Sequence, residues 1–271
     1  MSPLVDAHNH LQDGRLRPHL AEIVPAMREA GVARCVVNGT CESDWPDVLE
    51  LAARYPDVVQ PSLGLHPWKI DSRSDRWATQ LQAHIESGVS IFLGECGLDR
   101  WMKKPDLPAQ EEVFLFHLSL ATKHNLPLSI HCLQAWGALL DLLRANPRPE
   151  RGFLLHSYGG SRELVPELVR LGAYFSFSGH FLHERKEKVR DAFRAVPPER
   201  LLAETDAPDM KPPPRLREIP LEDEDRAPLN HPANLVQIVS GLAQVLGSDD
   251  TDLRDLLAGN SQRFFGITLP V

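Results

Sequence analysis

Short apolar runs and amphipathic stretches alternate along almost the whole chain. The apolar runs fall at Leu4–His8, Ala33–Asn38, Val58–Leu65, Val89–Glu95, Leu126–His131, Phe153–His156, Ala173–Ser178 and Arg200–Glu204. Several are continuously apolar, the pattern of a parallel sheet buried on both faces. Stretches with helical periodicity follow them at Pro18–Glu29, Asp44–Arg54, Asp75–Ser87, Ala109–His124, Gln134–Arg144, Ser161–Arg170 and Glu184–Ala195, and His231–Leu246 and Thr251–Ala258 close the chain. Gly31, Gly88, Gly172 and Gly247 stand where helices would end. Eight βα units in 271 residues predict a single-domain TIM (β/α)8 barrel, distorted, covering residues 1–271, with its active site at the C-terminal ends of the strands. Asp206 to Asn230 breaks the rhythm. Its prolines (Pro208, Pro212, Pro213, Pro214, Pro220, Pro228) and the run Glu222-Asp223-Glu224-Asp225 exclude a regular helix. Because the segment follows the eighth strand, it is expected to lie over the active-site face as a lid.

No stretch is long and apolar enough to cross a membrane. Met1-Ser2-Pro3 runs into a strand without a basic segment, so no signal peptide is expected. Cys35, Cys41, Cys96 and Cys132 form no CxxC pair and read as free thiols of a cytoplasmic protein. No obligate protein partner is evident. The net charge of −8 argues against a general nucleic-acid-binding surface but allows a local basic patch at one site.

The chemistry lies at the predicted strand ends. The first strand ends in His8-Asn9-His10, whose imidazoles share a face because residues i and i+2 of a strand do. The third ends in Gly64-Leu65-His66-Pro67-Trp68, the fourth in Gly94-Glu95-Cys96-Gly97-Leu98-Asp99, the fifth in His131-Cys132, the sixth in His156-Ser157-Tyr158-Gly159-Gly160 and the eighth in Glu204-Thr205-Asp206-Ala207-Pro208. Ionisable groups gathered at one mouth are costly to bury unless paired or bound to metal. The candidate ligands His8, His10, Glu95, His131, His156 and Asp206 are too many for one tetrahedral zinc and suit two divalent ions sharing a bridge, for which Glu95 is central. Asp206 is placed to hold one ion and take a proton from water, so Glu95 and Asp206 are the candidate catalytic residues. The chemistry expected is metal-assisted hydrolysis.

Taken in order, Asp-Ala-His8-Asn-His10-Leu, Gly-Leu-His66-Pro-Trp, Gly-Glu95-Cys-Gly-Leu-Asp99, Leu-Pro-Leu-Ser-Ile-His131-Cys, His156-Ser-Tyr-Gly-Gly and Glu204-Thr-Asp206-Ala-Pro, with Asn230-His-Pro-Ala-Asn-Leu and Asn260-Ser-Gln-Arg-Phe-Phe, resemble the TatD family of metal-dependent deoxyribonucleases among the amidohydrolase-like barrels. The resemblance covers essentially the whole chain. It implies one metal on His8, His10, Glu95 and Asp206 and another on Glu95, His131 and His156, with His66 beside them as a substrate contact. It also implies phosphodiester hydrolysis, often as a magnesium-dependent exonuclease; DNA single strands or ends are then the expected partner. Zinc and manganese also suit the histidine-rich set.

The sequence departs from the family at Leu133, where arginine usually follows Ile-His-Cys, and at Arg100-Trp101, where an aromatic usually follows Gly-Leu-Asp. Arg100, with Lys103, Lys104 and Arg162, offers replacement positive charge, and hydrolysis of another ester or amide (an aminoacyl-tRNA ester, a lactone, a small phosphoester) stays open as the alternative. Arg100 and Tyr158 join His66 as candidate substrate contacts; Trp68, Trp101 and Tyr158 lie where they would either stack on a base or cap the core. Asp99 is either a group that orients a ligand histidine or a helix cap. Cys96 and Cys132 are expected to face away from the pocket.

Overall fold

The computed structural model describes residues 2–270. Among these, eight parallel strands pair strictly in chain order: β1 (Leu4–Asn9), β2 (Val32–Asn38), β3 (Val59–Leu63), β4 (Phe92–Asp99), β5 (Leu128–Leu133), β6 (Phe153–Leu155), β7 (Ala173–Ser178) and β8 (Leu201–Glu204). The helices α1 (Leu20–Glu29), α2 (Trp45–Arg54), α3 (Trp77–Glu86), α4 (Leu107–His124), α5 (Trp136–Ala145), α6 (Val165–Arg170) and α7 (Glu187–Phe193) separate the strands, and α8 (Leu235–Leu246) and α9 (Asp250–Phe265) end the chain. The expected barrel is present, and it is distorted. Hydrogen bonds just beyond the strand ends close β8 onto β1: Asp206 N donates to His8 O (2.9 Å) and His10 N to Ala207 O (2.8 Å). Below them the Asp6 carboxylate accepts from Thr205 N (2.9 Å) and Thr205 Oγ1 (2.5 Å).

Most element ends shift by a few residues from the sequence reading, and two elements differ most in extent. β4 starts at Phe92 rather than Val89, which is 52% exposed, and runs on through Gly97, Leu98 and Asp99 because these pair with His131, Cys132 and Leu133 of β5. A Cβ on Gly97 would lie 2.0 Å from the His131 carbonyl oxygen, so this close pairing requires glycine. Helix α9 continues through Gly259 and Asn260 to Phe265 because the Asn260 amide is used internally, donating to Pro198 O and Leu201 O, while Phe264 and Phe265 are buried.

The core has two compartments. The larger lies between strands and helices. The smaller fills the lower barrel, where Val5, Ala7, Val36, Phe92, Leu154 and Leu202 meet Phe264, Phe265 and Leu269 of the C-terminal segment. Above this plug the interior turns polar. On β5 and β6 simple alternation carries the change, since Ser129 and His131, or Leu154 and His156, share one face. On β1 and β4 it does not: Val5, Ala7 and Phe92 line the interior, so strict period two would turn His8, His10 and Glu95 outward. Register slips at these points. Three steps on β1 oppose two on β2 (Asp6 opposite Cys35, Asn9 opposite Val37), and three on β4 oppose two on β5 (Leu93 opposite Leu128, Cys96 opposite Ile130). Each extra residue inverts the facing of the residues beyond it, swinging the two histidines and the glutamate into the barrel mouth.

Candidate active site

Glu95 sits at the centre of this mouth, 3% exposed, and its two oxygens face two different sets of groups. Oε2 lies 3.3 Å from His8 Nε2 and 3.4 Å from His10 Nε2. Asp206 Oδ1 completes that side, 3.4 Å from His10 Nε2 and 3.8 Å from His8 Nε2. Oε1 lies 2.8 Å from His156 Nε2, 3.1 Å from His131 Nδ1 and 3.2 Å from His66 Nε2. The His8 and His156 rings stack at 4.0 Å where the two sides meet.

Hydrogen bonds decide which ring nitrogen faces Glu95. His10 Nδ1 donates to Asn38 O (2.8 Å), leaving Nε2 for the mouth. His131 Nε2 donates to Asp99 Oδ2 (3.0 Å), leaving Nδ1 for the mouth. His8 Nδ1 bonds Ser129 Oγ (2.9 Å). His66 is arranged the other way: its Nδ1 accepts from Trp68 N (3.1 Å), so the neutral ring carries its proton on Nε2 and presents a donor to the pocket. His8, His10 and His131 thus offer a ring nitrogen to the pocket while an outer partner holds the second, as metal-ligating histidines do; His156 offers Nε2, and its Nδ1 is buried without a hydrogen-bond partner among the described residues. The spacings fit as well. Two ligand atoms at about 2.0–2.2 Å from one ion lie roughly 3.3–3.6 Å apart in tetrahedral and roughly 2.8–3.1 Å apart in octahedral coordination, the span found around the two Glu95 oxygens.

The electrostatics show a charge cluster balanced by protons. Burial pushes the Glu95 carboxyl up, but the charges of His66 and His156 and hydrogen bonds from His131 and His156 hold it well below the usual carboxylate range. Burial likewise disfavours the Asp206 carboxylate, and its bond to His10 with the charges of His156, His8 and His10 brings it to about 2. His10, against burial, is raised to about 9 by its hydrogen bond to Asp206 and the charge of Glu95. Burial and the neighbouring His156 hold His8 down. Burial also keeps His66 low. Divalent cations would take the place of the protons that neutralise the two carboxylates.

All six candidate ligands converge here, with His66 among them. Arg100 lies at the rim, its side chain exposed and its backbone N–H donating to Leu133 O (2.9 Å). Tyr158 is a correction to the substrate-contact reading. It is fully buried, its ring packs on Trp136, Phe175 and Phe193, and its hydroxyl donates to Ser161 O (2.7 Å). After His156 the chain turns through Ser157 at a positive φ of 42°, which directs the next side chain into the layer between barrel and helices. Asp99 is no helix cap, since Asp106 caps α4; it orients His131. Cys96 and Cys132 pack in the larger core. The segment after β8 does lie at the mouth, where Asp209 pairs with Arg15 at 2.8 Å.

Sequence reasoning missed Glu204. Its buried carboxylate accepts from Ser157 Oγ (2.5 Å) and Ser176 Oγ and lies 3.6 Å from His156 Nδ1. A signal was present, an acid two residues before Asp206 at the end of an apolar strand, but Asp206 drew the assignment. Asn38 and Ser129, which hold His10 and His8, carry no signal in the sequence.

The family model described as "TatD related DNase" matches residues 5–266. A protein from Edwardsiella piscicida named 3'-5' ssDNA/RNA exonuclease TatD is 29% identical over 97% of this chain and 99% of its own length. The Escherichia coli protein named uncharacterized metal-dependent hydrolase YcfH is 30% identical over 97% of this chain and 96% of its own. The crystal structure of YjjV, a TatD homologue from Escherichia coli K12, superposes with a TM-score of 0.89 at 25% identity, covering 98% of both chains. With its barrel, its histidine-carboxylate mouth and a family match across nearly its whole length, the chain belongs to the TatD family of metal-dependent hydrolases.

Proposed function

We propose that this hydrolase cleaves phosphodiester bonds from the ends of single-stranded DNA or RNA, using two divalent ions. The observation that carries the reading is the division of Glu95, with one oxygen turned to His8, His10 and Asp206 and the other to His131 and His156. That division suits one ion held by His8, His10, Glu95 and Asp206 and a second by Glu95, His131 and His156. Bound there, zinc, manganese or magnesium supplies an acidified water and polarises the phosphoryl group. The chain's own residues do the rest. Asp206, ionised and facing the His8–His10 side, takes the proton of the attacking water. His66 presents Nε2–H to a phosphoryl oxygen. Asp99 and Asn38 keep His131 and His10 turned inward. Arg100, exposed and following β4 with its backbone N–H bonded to Leu133 O, supplies positive charge at the rim for the substrate phosphates.

The proposed polarity, 3'-5', follows the printed name of the Edwardsiella relative. Preference for ends follows from the site's depth, since an internal phosphodiester of a duplex cannot reach groups buried in a barrel mouth. Metal-reconstituted protein should degrade a linear single strand and leave the same strand untouched once it is closed into a circle. Equal cleavage of both forms refutes the end requirement. Failure on both with magnesium, manganese and zinc transfers the function to another ester or amide.

A further inference from the structure

Among the described residues, three large apolar side chains stand exposed: Trp68 (56%), Trp101 (65%) and Val89 (52%). Val89 precedes β4 at the far end of the barrel. The two tryptophans are at the mouth, and both are tied to one carboxylate. Asp99 Oδ2 accepts from Trp68 Nε1 (2.7 Å) and Oδ1 from the backbone N–H of Trp101 (2.7 Å). The same Oδ2 holds His131 Nε2. From below, the buried Gln110 of α4 clamps the Asp99 backbone, accepting from its N–H (2.8 Å) and donating to its carbonyl (3.1 Å). The exposed indoles therefore begin on a fixed root one side chain away from Glu95. An exposed tryptophan is unusual on a monomer surface, and core packing does not explain these two. The charge around them points to an anionic ligand. Arg100, Lys103 and Lys104, all exposed, follow Asp99 within five residues and place three positive charges beside the two indoles, and none of the three is neutralised by an ion pair among the described residues.

We propose that Trp68 and Trp101 form a stacking platform for the bases of a single-stranded nucleic acid whose phosphate lies at Glu95, with Arg100, Lys103 and Lys104 following its backbone. This rests on the nucleolytic reading above and adds how the strand is gripped. Stacking on aromatic faces is tolerant of sequence, so the platform makes the enzyme sensitive to the presence of bases and indifferent to their order. Asp99 couples the grip to the metal side: the carboxylate that orients His131 also anchors both tryptophans.

Trp101 is the residue to test. Its indole makes no hydrogen bond among the described residues, and alanine retains the backbone N–H that bonds Asp99. The probes are a short phosphorothioate thymidylate strand, which resists cleavage, and an abasic phosphorothioate strand of equal length and charge, each titrated with manganese present. The native protein should prefer the base-bearing strand. Trp101→Ala should lower that preference about tenfold, within the range for loss of one base-aromatic stack, and Trp101→Phe should recover most of it. A preference unchanged in Trp101→Ala, or equal weakening on both strands, overturns the platform while leaving the nucleolytic reading in place. If the native protein binds neither strand, both fall.

Discussion

Replacing Asp99 by asparagine separates the orienting charge from the space it occupies. The native carboxylate accepts three hydrogen bonds: His131 Nε2 and Trp68 Nε1 on Oδ2, and the Trp101 N–H on Oδ1. Burial pushes its pKa up, but bonds from His131 and Trp68 bring it below the usual aspartate value, so it is an anion at neutral pH. Asparagine keeps most of this pattern by placing its one oxygen at the Oδ2 position, which leaves its NH2 against the Trp101 N–H. His131 then keeps a neutral acceptor and loses a charged one. Hydrogen bonds to charged groups contribute roughly 1.5–3 kcal/mol and neutral ones about 0.5–1.5, a difference of about 1–1.5 kcal/mol. Every 1.4 kcal/mol is tenfold in affinity. Asp99→Asn should therefore weaken the ion held by His131 and His156 about tenfold, at the lower end of the effect of removing an outer partner of a metal-binding histidine. The ion on the His8–His10–Asp206 side should change little. Calorimetric titration of metal-stripped protein with zinc or manganese reads the two sites, and a melting curve checks the fold. Two unchanged affinities, or a loss confined to the His8–His10 side, would show that Asp99 does not act through His131.

Glu95→Gln replaces one shared oxygen by a poor ligand, and elemental analysis should find no more than one ion per chain; two retained ions would remove Glu95 as a bridge. Asp206→Asn keeps the size and loses the proton affinity, so turnover should fall by about two orders of magnitude with the melting temperature nearly unchanged, and near-native turnover would exclude Asp206 as the base. Acid stability tests a group far from the mouth. His117, fully buried on α4 and stacked 5.5 Å from Trp77, is depressed to about 4 by burial from an ordinary value of 6.5. The unfolded chain binds this proton first, so the neutral ring stabilises the fold above pH 6.5 and that stability is lost as pH falls toward 4, by about 2 kcal/mol at pH 5. Urea denaturation of His117→Phe should show a correspondingly smaller loss between pH 7 and pH 5, and an identical loss in both proteins would contradict the assignment.

The local pattern determined much of this protein. Apolar runs bury themselves wherever they pair, so the eight strands and their intervening helices were readable one by one, and the histidine- and carboxylate-bearing motifs at the strand ends carried the family with them. The pattern also grouped His8 with His10 and Glu95 with the mouth. It could not say which face of β1 or β4 looks inward. Period two relates neighbours on a strand without fixing them in space, and it places Asp6 with His8 and His10, whereas in the barrel Asp6 binds Thr205 and joins β8 to β1. The two register slips that turn His8, His10 and Glu95 inward arise from pairing with β2 and β5, partners distant in sequence. The same holds for the residues that complete the site. Tyr158 reads as a rim aromatic until the turn at Ser157 sends it into the core. Glu204, Asn38 and Ser129 gain their roles only from strand partners distant in sequence: Asn38 meets His10 through the pairing of β1 with β2, Ser129 reaches His8 from β5, and Glu204 of β8 stands beside His156 beyond β6. The division of Glu95 between two sets of histidines has the same origin, since those histidines come from four different strands and meet only when the barrel closes.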